Sequence, residues 1–464
     1  MSDSITMLEQ KFNRWIGQKM SSMHIPGMSV VMIKDGKIIF NRGYGAKNNE
    51  KNSPVTPDTL FGVGSVTKSF TCLAIMQLWE RGLLKLDDPV DQYLPLNLDQ
   101  NRPPITLHHL MSMSSGLPNL GVAENIIYRF TGGQHKFNPL SGIEDLLQHI
   151  NEGQSEIAAD PGERMFYLNS GYSLLAEVIT RVSGEPFHRF VEKNILQPLQ
   201  MNRSGFARED LEQEQDIMTA YKQDSSEGKT KITPAPHPYH PLVYGPGGLL
   251  SSTRELAHYL LFSMEGQTPA GESLLEPDRL QKMQSIHCET EDSRQKYSTF
   301  GRKGYGYGWS ISEDFFGHTL VEHGGSTAVS SAYLAFIPGE KAGIGAVANV
   351  GGLPSNVLDA ALWELIGGDM DEFPALKIEK RMERLTGNYE NFKGTTEIKV
   401  ERQGGILFYK SDMASFPLIP EKDNAANDRY YAITGPGEKL PVEFVENSSG
   451  EIDLFAERNR FRKK

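Results

Sequence analysis

A serine and a lysine three positions apart, Ser65 and Lys68 in "FGVGSVTKSF", are residues whose types and spacing suit covalent catalysis. A serine hydroxyl is a weak nucleophile at neutral pH and needs a base within hydrogen-bond reach. On a helix, positions i and i+3 share a face, which lays a Lys68 amine beside a Ser65 oxygen. The same spacing recurs at Ser226 and Lys229 in "SEGK" and at Ser293 and Lys296 in "SRQK". A chain of this length holds about two such pairs by chance, so context has to choose among them. The second and third pairs lie in polar, loop-like stretches and read as solvated surface. Ser65 alone follows a glycine-containing turn and opens a strongly apolar segment. At the start of a helix the positive end of the dipole favours a developing anion, and the Ser65 backbone N–H is a candidate oxyanion donor.

Two further stretches accompany that pair. "PGERMFYLNSGYSLLAEVI" (161–179) sets Tyr167 and Asn169 just before a helical pattern, and "EHGGSTAVSSAYLAFIPG" (322–339) runs His323, Gly324 and Gly325 into a strand pattern. Ser-x-x-Lys, Tyr-x-Asn and His-x-Gly in this order resemble the serine β-lactamase and penicillin-binding-protein superfamily, in its class C and D-alanyl-D-alanine carboxypeptidase branch. "ITLHHLMSMSSGLPN" (105–119) and "GPGGLLSSTRELAHYL" (245–260) also look like segments of that family. The resemblance runs from about residue 10 to about residue 370 and implies an α/β (α+β) fold of the β-lactamase kind.

Carried over position by position, the resemblance implies Ser65 as the acylated nucleophile, Lys68 as its proton partner and Tyr167 as a second acid/base group. A phenol is a weak base near pH 7 unless a neighbouring ammonium favours its phenolate, so Lys68 and Tyr167 form one coupled unit. Which of the two takes the serine proton stays open. Asn169 would hold Lys68 and the substrate amide, Gly325 would permit close backbone approach, and the Ser326 N–H would be the second oxyanion donor. His323 departs from the family pattern by standing where a Lys-Thr-Gly lysine is usual. A histidine is mostly neutral near pH 7. The change therefore weakens binding of penicillin-type carboxylates and favours peptides or esters.

Other suggestive residues read as structural. Tyr389 and Asn391 repeat the Tyr-x-Asn spacing in a β-rich tail and read as packing. His237 and His240 lie among prolines, and two ligands do not make a metal site; the adjacent His108 and His109 point apart. Cys72 and Cys288 make neither a disulfide framework nor a Cys-x-x-Cys pair. No metal and no cofactor is expected.

The elements that must hold these residues show in the apolar patterning. "MSVVMIK" (28–34) and "KIIFNRGY" (37–44) are β-rich runs joined by Asp35-Gly36, a hairpin-turn dipeptide. Residues 65–84 read as a helix apolar nearly all round, hence buried on most sides. The middle of the chain is helical, most clearly at 170–184 and at 251–264, where Ser252 and Glu255 have capping-box spacing. Strand patterns return at 305–311, 331–337 and 343–350, followed by a helix in "NVLDAALWELIGG". One antiparallel sheet built from both ends of this region, flanked by helices and carrying a helical insert, is the expectation for residues 1–374.

Residues 375–464 carry 16 Lys+Arg against 15 Asp+Glu, while the whole chain has a net charge of −12. Short β-type runs such as "TEIKVE", "GILFYKS" and "PVEFVE" there read as a small all-β, lipocalin-like barrel, with "KIEKRMER" as a linker helix. The C-terminal domain has three open roles: covering the cleft, homo-oligomerisation, or ligand binding. Net negative charge argues against a nucleic-acid partner, and the apolar runs fall short of a membrane span. The amphipathic start lacks the apolar core of a secretory signal, so a cytoplasmic location is expected. Relatives with an appended β-domain include archaeal serine peptidases. By that analogy the leading expectation is a serine peptidase or carboxypeptidase that accepts D-amino-acid peptides. The alternatives are an esterase or weak β-lactamase, and an inactive fold reused for binding or assembly.

Overall fold

The computed structural model describes residues 2–97, 101–132, 140–206, 211, 216–226, 229–290, 300–421 and 428–464. It divides into two compact units, Met1–Gly368 and Asp369–Lys464.

The first unit is built on a nine-stranded sheet that joins distant parts of the sequence. Gly27–Lys34 pairs antiparallel with Lys37–Asn48 on one side and with Ala342–Ala348 on the other. Asp35 and Gly36 adopt positive φ angles of 51° and 68°, which is why this dipeptide closes the hairpin. From Ala342–Ala348 the sheet continues through Ser331–Ile337, His318–Ser326 and Ser310–Phe315 to short edge strands. The expected strand at 305–311 is broken: Lys303–Tyr305 and Ser310–Phe315 are separate, and Gly308 turns the chain between them with φ +75°.

Gly27–Ile33 is buried throughout, as befits a strand covered on both faces. Helices Thr253–Glu265 and Ser355–Leu365 pack on the central strands, and Ser2–Ser22 lies over Lys37–Asn48 through Phe12 against Phe40 and Tyr44. Ser252 caps its helix by accepting from the Glu255 N–H. The reciprocal half of the expected box is absent, because Glu255 instead accepts from the Arg203 N–H and the Ser204 hydroxyl.

The second unit is an eight-stranded closed barrel whose strands follow one another in sequence order. Helix Pro374–Leu385, expected as a linker, belongs to this unit and contributes Leu385 to the barrel core. Strands Gly387–Glu390, Ser415–Pro420 and Asn459–Lys463 have no counterpart among the runs read from the sequence. They are short, interrupted by proline or charged at most positions. Their pairing comes from neighbouring strands rather than from their own pattern.

Candidate active site

Ser65 sits in a single 3-10 turn, Gly64–Val66, that feeds helix Thr67–Glu80. From Thr59 to Leu78 every residue is buried except Ser65. The turn is held from behind: Val63 N–H donates to Leu249 O at 2.9 Å, and the Thr67 hydroxyl donates to Gly64 O at 2.7 Å. The helix ends at Glu80, before the expected Leu84, where Gly82 turns out with φ +71°.

Lys68 is wholly buried and its ammonium nitrogen has three partners. Nζ lies 3.0 Å from Ser65 Oγ, 2.8 Å from Asn169 Oδ1 and 2.7 Å from the Pro246 carbonyl. Its charge also sits 4.9 Å from the Tyr167 ring centre and 5.4 Å from that of Tyr172. Burial brings the Lys68 pKa down to about 7, while Glu124 and Cys72 act in the opposite direction. Two of the three polar partners are carbonyl oxygens, which only accept. A neutral Lys68 amine donates its two hydrogens to them, and its lone pair then faces the Ser65 hydroxyl.

Tyr167 lines the cleft with 38% of its surface open. Packing around the phenol nevertheless pushes its pKa up, against the pull of a hydrogen bond with Ser65. It is therefore a proton donor at neutral pH. The chain before it is fixed by the Phe166 N–H donating to Met113 O at 2.8 Å. Asn169 opens helix Asn169–Ser183 and bridges two charged groups, accepting from Lys68 and donating to Glu124 Oε1 at 3.3 Å.

Strand His318–Ser326 passes directly over the Ser65 turn. A Cβ on Gly325 would lie 2.0 Å from Val63 O and 2.9 Å from Ser65 N, so only glycine allows this approach. A Cβ on Gly64, itself at φ +53°, would lie 2.5 Å from Ser326 N. The Ser65 and Ser326 backbone nitrogens thus both lie at the crossing of this strand with the Gly64–Val66 turn.

His323 is on the same strand but turned inward, 5% exposed. Its Nδ1–H donates to Gly324 O at 2.6 Å, and its Nε2 accepts from the Tyr305 hydroxyl at 2.9 Å. Burial lowers its pKa to about 3, with the Lys68 charge adding to the effect. The ring is neutral with both nitrogens engaged, one by Gly324 O and the other by the Tyr305 hydroxyl.

The other serine–lysine pairs sit elsewhere. Ser226 and Lys229 face each other across a β-hairpin rather than along a helix, and Ser293 and Lys296 lie outside the described residues. Tyr389 is buried in the barrel and donates to Leu385 O. His108 meets the Tyr307 hydroxyl, His109 caps the helix start at Thr106, and His240 accepts from Leu242 N–H. His237 is pushed down to about 4 by burial, with neither ring nitrogen partnered among the described residues. Among the described residues no cluster of three or more His, Cys, Asp or Glu is placed to hold a metal ion.

With this geometry in place, similarity to known proteins becomes informative. The β-lactamase family model matches residues 12–367. The chain belongs to the β-lactamase family. A second model, the Pab87 octamerisation domain, matches residues 370–462 of this family member. An octameric penicillin-binding protein homologue from Pyrococcus abyssi is similar over 98% of this chain and 99% of its own, with 36% identity and a TM-score of 0.87. A penicillin-binding protein from Bacillus halodurans is similar over 76% of this chain and 98% of its own, at 26% identity and TM-score 0.58. Protein flp of Staphylococcus aureus (strain N315) is 26% identical over 353 residues, 74% of this β-lactamase-family chain; that match spans 63% of the relative's own length.

Glu124, Tyr305 and the Pro246 carbonyl complete the polar surroundings of Lys68 and His323, and sequence reasoning missed all three. Glu124 and Tyr305 carry no motif. Pro246 lies in the family-like segment at 245–260, which is the one signal that pointed toward it.

Proposed function

We propose that this protein is a serine hydrolase that works through an acyl-enzyme on Ser65 and cleaves amide bonds of small peptides, including those with D-residues. The observation that carries the reading is the set of Lys68 contacts: two carbonyl acceptors and the Ser65 hydroxyl. Neutral Lys68 takes the Ser65 proton as Oγ attacks the substrate carbonyl. The Ser65 and Ser326 N–H groups receive the oxyanion. Tyr167, kept protonated, hands a proton to the departing amine and recovers one from the Lys68 ammonium. Water then cleaves the ester by the reverse relay.

Substrate preference follows from charge. His323 is neutral and turned inward, so its position offers no cation for a penicillin-type carboxylate. The D-residue preference carries over the resemblance to serine peptidases with an appended β-domain. A homo-oligomeric, octamer-like assembly through the C-terminal barrel is supported by the octamerisation-domain match and the octameric Pyrococcus abyssi homologue.

Intact mass after fluorophosphonate treatment should show one adduct, absent in Ser65→Ala, and a peptide panel varied in chirality should show faster cleavage at D-residues. Absence of any Ser65 adduct would sink the hydrolase reading. Turnover of nitrophenyl esters without cleavage of any peptide would replace the peptidase by an esterase.

A further inference from the structure

Glu124 lies in the first turn of helix Val122–Thr131, at the edge of the site. Its Oε1 accepts from Asn119 Nδ2 at 2.8 Å and Asn169 Nδ2 at 3.3 Å. Among the described residues its Oε2 is buried without a hydrogen-bond partner. A buried carboxylate oxygen left bare is costly unless an opposite charge is near. The cation across Asn169 is Lys68, 2.8 Å from Asn169 Oδ1.

Asn169 transmits this relation through its orientation. Its Nδ2 faces the carboxylate and its Oδ1 faces the amine; the flipped amide would set donor against donor and oxygen against carboxylate. The other groups facing Lys68 are uncharged near neutrality. Cys72, on the same helix, has its thiol pushed up to about 12 by burial. Tyr167, Tyr172 and Tyr305 are phenols raised by burial, and His323 is neutral. Glu124 is the carboxylate of the set.

We propose that Glu124 is a positioning residue that, through Asn169, holds Lys68 as an ammonium in the resting protein and so sets the pH above which Ser65 can be acylated. The inference rests on the reading of Lys68 as the base for Ser65. Loss of the Glu124 charge removes a stabiliser of the ammonium, so the amine becomes free at lower pH.

Glu124→Gln tests this because an amide keeps an acceptor for Asn119 and Asn169 while losing the charge. The rate of Ser65 modification by a fluorophosphonate, followed against pH, should rise with its midpoint at least about half a unit lower in Glu124→Gln. Below the wild-type midpoint the variant then keeps about a threefold larger share of its plateau rate. Glu124→Ala should move the midpoint likewise and also lower the plateau, since Asn169 loses its anchor. A lower plateau with an unmoved midpoint in Glu124→Gln would mean a merely structural role and overturn the proposal. The Lys68 side-chain NMR titration reads the same midpoint without catalysis. A shifted titration with no Ser65 modification would refute the hydrolase reading and the acylation part of this inference, leaving only the hold of Glu124 on the Lys68 ammonium. An unshifted titration in a protein that does react would do the opposite.

Discussion

Lys68 concentrates the unusual energetics of the molecule in one side chain. It is fully buried, and its pKa falls from 10.5 to about 7 because burial disfavours the ammonium. Between those two values the unfolded chain binds a proton that the folded chain does not, so stability rises with pH across that window. Below about pH 7 both states carry the proton and the full burial cost persists. Lys68→Met should therefore gain stability relative to wild type, on the order of a few kcal/mol near pH 6.5, with the gain shrinking toward pH 10. Loss of the donors to Pro246 O and Asn169 Oδ1 offsets part of this equally at every pH. Denaturant unfolding of both proteins at the two pH values measures the difference. A gain that does not change with pH would rule out a depressed Lys68. The variant should also lose Ser65 acylation. At this scale the sequence was most legible where chemistry is local, since Ser65 and Lys68 are one helical turn apart and Tyr167 and Asn169 flank one helix start. Glu124 was hidden because its link to Asn169 spans 45 positions. His323 was readable as neutral, but its inward turn depends on Tyr305, a partner that no spacing announces.

Among the elements, the junction that matters most is strand His318–Ser326 crossing the Gly64–Val66 turn. Two backbones meet there without side chains between them, and this brings the Ser326 amide against the turn that carries Ser65. A methyl on Gly325 would press on Val63 O, a backbone atom that cannot swing aside. The strand must then retreat and take the Ser326 N–H with it. Gly325→Ala should cut acylation by about 100-fold or more and lower the melting temperature. Gly324→Ala is the matched control, because a Cβ there meets nothing within 4 Å. Equal behaviour of the two variants would contradict a backbone-contact role for Gly325. Elements with a strong local signal were legible: the Asp35-Gly36 hairpin, the apolar helix after Ser65, and the strands at 331–337 and 342–348. The break near Gly308 was not, because "YGYGWSI" has a strand's composition and only its neighbours force the turn. A Cβ on Gly308 would lie 2.6 Å from the Ser69 Cα, so the turn is set by packing on the nucleophile helix.

For the whole molecule, the decisive feature is that the two units have separate cores. The large core draws its residues from Val31 to Val347, and the barrel core from Leu385 to Phe461, with none in common. The barrel is closed, so among the described residues it offers no free strand edge for pairing with another chain. Any association through it must use side chains on its outer surface. Phe392 and Met413, 78% and 95% exposed, are apolar residues of the kind such contacts bury. A chain ending at Gly368 should therefore fold with its core intact and keep Ser65 acylation, while losing the proposed assembly. Light scattering should give a particle of about eight chains for the full protein and a single chain for the truncated one. A truncated protein that remains multimeric would move the assembly contacts into the first unit. If it is folded and monomeric but unreactive, the barrel contributes to the cleft as well as to assembly. Either result would separate covering the cleft from homo-oligomerisation, two of the three roles that the sequence left open for this domain, because the cores are independent enough for the first unit to be tested alone.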